Sequence, residues 1–196
     1  MEKERNKTRI LTESAVLVAV AVVLSLLSLF LHMPWGGSVT PAATLPVIVV
    51  SLRYGVKWGV LAALTYSLTQ LLLGFSNVVA VPAPTLGSMV LCALLDYVLA
   101  YTLIGMAGGI ARGFARRELG LAVAILATGL GRYLCSVLSG AVLWGEYAWE
   151  GWSVVPYSMA YNAIWCGPDV AITLVAGLLL LRVPALDIMP VRQEVK

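Results

Sequence analysis

Apolar residues run along this chain in long blocks separated by short charged or turn-rich stretches, a pattern of helices too long and too uniformly apolar for strands. The blocks predict helices over residues 10–31, 42–52, 57–73, 86–111, 119–143 and 156–182. A bilayer core takes about 20 apolar residues per helix, so the long blocks are membrane spans. The second block is short and carries Pro41 and Pro46 at its start. It is expected as a tilted, broken or partly re-entrant helix whose freed carbonyls lie under protein.

Composition sharpens this picture. The 196 residues are 60% apolar and 12% charged, where soluble domains carry about 25% charged residues. A soluble fold is excluded, and about six spans use up the whole length, so 1–196 reads as a single integral membrane domain with no separate catalytic or nucleotide-binding unit. The net charge of +3 reflects position rather than a patch: of the 13 Lys and Arg, all but Arg132 sit at the N-terminus, around Arg53 and Lys57, at 112–117, or from Arg182 onward. The intervening connections 32–41, 74–85 and 144–155 hold no Lys or Arg. By the positive-inside rule both termini are cytoplasmic. The first apolar run, about 22 residues long, exceeds the h-region of a secretory signal.

Several chemistries drop out. His32 is the only histidine, and Cys92, Cys135 and Cys166 lie inside apolar runs without metal or disulfide spacing, which leaves no metal site and no catalytic constellation. No phosphate-binding loop occurs, so any ATP that drives transport is bound by another subunit. No internal repeat supports the inverted architecture of a proton-coupled carrier, the rival transporter reading. An assembly subunit without a saturable ligand is the remaining alternative.

Four ionisable residues fall inside the apolar blocks: Glu13, Asp96, Arg132 and Asp169. Glu13 lies near the cytoplasmic end and reaches the interface. The others lie deep, where a charge costs about 2.5–3.5 kcal/mol on insertion scales. Counting about 1.5 Å per residue puts Asp96 and Arg132 at the same level, with Asp169 deeper. Arg132 neutralises one aspartate, and either is a candidate. One cation leaves one anion over, and a monocationic solute uses all three residues.

Seven of the 17 aromatic residues lie between Trp144 and Trp165. Some fit an interfacial belt. Tyr157, Tyr161 and Trp165 instead form a helical stripe that continues to Asp169, a path suited to a flat cation. Asn162 offers an amide to a heteroaromatic ring or to a neighbouring helix. Ala15 and Ala19, and likewise Gly105 and Gly109, present small faces at helix spacing that suit close packing within the chain or against a partner.

Taken together, Thr12–Ala15, Ser51–Gly55, Asp96-Tyr97, and Glu146–Trp152 followed by Tyr157-Ser158 and Asn162 resemble the thiamine-specific substrate-binding (S) component of energy-coupling factor (ECF) transporters. The likeness runs from about residue 11 to 170. It implies an all-α membrane protein with six transmembrane helices in a multi-pass bacterial cell membrane. It also implies capture of thiamine outside, no cofactor and no nucleic acid, and association with a transmembrane T component and two ATPase subunits. Carried over by motif position, the ligand-binding residues are Trp35, Asp96, Tyr97, Gly140, Trp144, Tyr157 and Asn162, with Ala15 and Ala19 on the face that meets the T component. In two places the chain departs from the family pattern: Asp96 stands where a longer Glu is typical, and Ser136 where a histidine is expected. A thiamine precursor or another small heteroaromatic cation is therefore the alternative ligand, with Ser136 a polar contact.

Overall fold

A computed structural model describes the backbone over residues 2–30 and 39–189 and the side chains over 6–28 and 39–189. The six apolar blocks become six principal helices: α1 Glu2–Leu26, α2 Leu45–Tyr54, α3 Val56–Leu73, α4 Leu86–Ala111, α5 Arg117–Leu143 and α6 Val154–Leu181. Among the described residues there are no strands. α1 starts well before its apolar block, because Lys, Arg and Glu are good helix formers and the helix runs on beyond the apolar layer. A short helix, Phe75–Val79, lies between α3 and α4.

Five of the six helices are long and apolar enough to cross a membrane. In each of the five only 22–33% of the most apolar stretch is buried, and the stripe Leu126, Leu130, Leu134 and Leu138 of α5 faces outward. That is the surface of a bundle solvated by lipid. α2 is the exception: its 10 residues reach about 15 Å, half the hydrocarbon thickness. Every residue from Leu45 to Leu52 is buried, as befits a helix apolar on all sides. Pro46 sits in its first turn, where no intrahelical N–H is lost. Its other end turns straight into α3 through Gly55, whose φ of 90° suits glycine.

The core brings α1, α2, α3, α4 and α5 together around Tyr66, Ile48, Leu121 and Ile125. α2 fits there because α4 offers glycines. Ser51 Oγ donates to the Gly105 carbonyl at 2.5 Å and accepts from the Gly108 N–H at 2.8 Å. A Cβ at Gly108 would meet the Ser51 backbone, and one at Gly105 would lie 2.6 Å from Val60 Cα. The Gly105 half of the small-residue pair thus serves packing within the chain.

α4 is not uniform. A π-helical turn spans Ala93–Leu99 and a 3-10 turn spans Leu103–Met106. Such turns mark places where a regular helix is bent to another purpose.

At the end of the bundle rich in basic residues, Glu13 pairs with Arg9 at 2.8 Å and Arg53 at 3.3 Å and accepts from the Tyr54 hydroxyl. Arg53 also donates to the Leu186 and Asp187 carbonyls, and Arg117 to that of Met189. With Ile188 buried in the core, the segment after α6 straps the ends of α2 and α5. The interfacial Glu13 of the sequence reading is thus a partly exposed, paired carboxylate.

Candidate functional site

A cavity of about 810 Å³ opens between α1, α3, α4, α5 and α6, within the size range of small-molecule sites. Seven of the eight ligand-binding residues expected from sequence line it: Asp96 and Tyr97 from α4, Ser136 and Gly140 from α5, Trp144 just after α5, and Tyr157 and Asn162 from α6. Trp35 lies outside the described residues, as does His32. Ser25, Thr40, Gln70, Asn77, Tyr101 and Trp165 complete much of the wall.

The π-helical turn accounts for α4's part. In a regular helix Asp96 and Tyr97 point about 100° apart. The wider turn lets Cys92, Asp96, Tyr97 and Tyr101 all border one cavity. Tyr97 is fixed at its far end, its hydroxyl donating to the Gly74 carbonyl at 3.0 Å.

The deep charges sort themselves. Arg132 Nη1 meets Asp169 Oδ2 at 2.6 Å, both residues buried. Thr40 Oγ1 donates to Asp169 Oδ1 at 3.0 Å, and Arg132 Nη2 to the Tyr101 hydroxyl at 3.1 Å. The guanidinium also lies 4.7 Å from the Tyr101 ring centre and 4.9 Å from that of Trp165. This is a closed, neutral cluster at the cavity floor.

Asp96 lies outside it. Ser139 Oγ donates to Asp96 Oδ2 at 2.6 Å and Cys92 Sγ approaches the same oxygen at 3.4 Å. Among the described residues no cation pairs with Asp96. Equal depth suggested that Asp96 and Arg132 face each other. Helix direction explains why Arg132 turns to Asp169 instead. Side chains lean toward a helix's N-terminus. α5 starts at the basic end of the bundle and α4 at the opposite end, so Arg132 leans toward the basic end and Asp96 away from it.

The aromatic stripe exists, but its end is filled. Tyr157 and Tyr161 stand 5.7 Å apart, whereas Trp165 is taken by Arg132, and the carboxylate beyond it is already neutralised. Trp149 packs edge-on at 5.2 Å against both Tyr157 and Trp152, carrying the aromatic series from the loop to the cavity rim. Trp144 leans on Tyr147 at 6.0 Å.

Asn162 borders the cavity and ties helices together. Its Nδ2 donates to the Ser158 carbonyl at 2.8 Å and the Ser136 carbonyl at 3.3 Å, and its Oδ1 accepts from Trp165 Nε1 at 3.2 Å. Gly140 lets α6 approach, since a Cβ there would run into Ser158 Oγ. Ala15 and Ala19 on α1 are not among the residues lining this cavity and are exposed, next to exposed Val16 and Val20.

Sequence reasoning passed over Ser139, Thr40 and Tyr101. Tyr101 was the most findable, four residues after Tyr97 on a helix. Thr40 and Ser139 carry no signal until the fold brings each to a carboxylate.

Residues 11–187 match the family model described as thiamine transporter protein (Thia_YuaJ). The chain is 33% identical over 197 residues to the thiamine transporter ThiT of Bacillus subtilis (strain 168), covering 95% of this chain and 97% of that protein. The fold matches a solved structure of ThiT from Listeria monocytogenes with a TM-score of 0.73, at 23% identity, over 94% of this chain and all of the other.

Proposed function

The chain belongs to the thiamine transporter protein family Thia_YuaJ, and on that premise we propose that its cavity captures thiamine with Asp96 as the counter-charge. It is a multi-pass cell-membrane transporter and not an enzyme; the family assignment does not favour a proton-coupled carrier.

One observation carries the reading. The floor cluster of Arg132 and Asp169 is electrically closed, and among the described residues Asp96 is left without a cation partner in a cavity bordered by Trp144, Tyr157 and Tyr161. An anion at that depth is costly alone and favourable beside a cation. Thiamine is a monocation with two flat heteroaromatic rings. Each ring wall adds about 0.5–2 kcal/mol by cation–π contact. Ser136 supplies a hydrogen bond to the pyrimidine, and the acceptor sites left on the Tyr97 hydroxyl and on Asn162 Oδ1 serve its amino group. Gly140 lets α6 come close enough to α5 to set Asn162 at the cavity wall, and Trp35 is kept as a ligand-binding residue on motif position. The shorter Asp96 and the hydroxyl of Ser136 fit thiamine through longer or water-bridged contacts.

The exposed small face at Ala15 and Ala19 is proposed to dock a membrane-embedded T component. ATP hydrolysis is proposed to fall to the two ATPase subunits that the family resemblance implies, in keeping with a sequence that carries no phosphate-binding loop. The basic connections support a reading with both termini in the cytoplasm and the cavity mouth outside.

The test is titration of the purified protein with thiamine and with a neutral isostere in which the thiazolium nitrogen is replaced by carbon, followed by intrinsic Trp fluorescence. Asp96→Asn is expected to weaken thiamine about 30-fold or more while changing the neutral isostere less than about threefold. Equal loss for both would remove the charge argument.

A further inference from the structure

Ser139 makes its one hydrogen bond to Asp96, at 2.6 Å, and is fully buried on α5 one residue before Gly140. It is not itself part of the cavity wall, whereas Ser136 and Gly140 on either side of it are. Cys92, on α4 one turn before Asp96, is buried too and approaches the same carboxylate oxygen at 3.4 Å. Both contacts fall on Oδ2. Among the described residues Oδ1 has no partner, yet it is absent from the buried unpartnered polar atoms, so it is open to the cavity.

From this asymmetry we propose that Ser139 is a positioning residue for the ligand's positive charge: it holds Asp96 Oδ2 from behind and leaves Oδ1 as the oxygen that faces the cation. The proposal rests on Asp96 being the counter-charge. The physical reason is preorganisation. A carboxylate in an apolar bundle needs donors to remain in place, and a bond spent on one oxygen fixes the plane of the group and the direction of the other. A short Asp side chain has little reach of its own, so the bond from α5 sets where its charge sits. The same bond ties α4 to α5 across the π-helical turn, which makes the position of the charge depend on the packing of two helices rather than on one rotamer.

The experiment is a double-mutant cycle between Ser139→Ala and Asp96→Asn, with thiamine and the neutral isostere as the two probes, read by Trp fluorescence on folded, monodisperse protein. Ser139→Ala is expected to weaken thiamine about tenfold, the scale of one lost hydrogen bond to a charged group, and the isostere less than about twofold. In the Asp96→Asn background the same change is expected to do almost nothing. Ser139→Thr, which keeps the hydroxyl, restores most of the thiamine affinity. Equal weakening of both probes by Ser139→Ala, or the same tenfold loss persisting in the Asp96→Asn background, would show that Ser139 acts through packing and overturn the proposal. Failure of the parent reading has a different signature: Asp96→Asn alone does not separate thiamine from the isostere, and positioning by Ser139 falls with it.

Discussion

Asp169 and Asp96 are chemically identical residues inside the apolar layer of one bundle, and their surroundings make them opposites. Asp169 has Arg132 on one oxygen and Thr40 on the other, under the rings of Tyr101 and Trp165. Asp96 has one hydroxyl and one thiol on a single oxygen and open space before the other. The first is a finished electrostatic unit and belongs to the fold. The second has no cation partner among the described residues, and on the proposed function it is completed by the ligand. An intramembrane charge is thus read by whether its partners are all in the chain.

Substitutions that separate the two roles test this contrast. The largest expected effect is on folding: Arg132→Leu strands Asp169 in the core and should destabilise the empty protein by about 3–5 kcal/mol. Replacing both partners with leucine should recover much of the loss in thermal unfolding in detergent. Asp96→Asn should leave the unfolding temperature of the empty protein nearly unchanged while costing thiamine binding about 2–3 kcal/mol. Equal stability losses in Arg132→Leu and Asp96→Asn would erase the distinction. A smaller effect is expected from Thr40→Val, which removes one donor from Asp169 and should cost about 2 kcal/mol of stability. Smallest is Trp144→Leu, which should weaken thiamine by about 1 kcal/mol through lost ring contact, without altering the unfolding temperature.

Much of the fold was legible because lipid imposes a one-dimensional code. Apolar blocks of bilayer length had to be helices, and 86–111, 119–143 and 156–182 reappear as α4, α5 and α6 within a few residues. The irregularity of the second block was equally readable, since two prolines and a short run do not make a full span. The burial of every residue from Leu45 to Leu52 was not, because that depends on Gly59, Gly105 and Gly108 of α3 and α4 opening a slot for Ser51. The cavity-lining set was read largely through motif likeness, and those residues converge because α4, α5 and α6 each turn one stripe toward the same space. The aromatic track was read only halfway. Spacing along α6 places Tyr157, Tyr161 and Trp165 in line, but nothing in spacing says that Arg132 covers the last ring.

The sequence by itself determined the class of the protein, its helices and the surplus of one deep negative charge, because these follow from counting apolar lengths and charges. Only the tertiary structure decided which aspartate holds that surplus. The lean of a side chain toward its helix's N-terminus sends Arg132 and Asp96 in opposite directions from the same depth, and that lean is felt only once α4, α5 and α6 stand side by side. The placement of Ser139 behind Asp96 has the same origin: a hydroxyl with no pattern of its own gains a role when packing brings it within hydrogen-bond distance of a carboxylate.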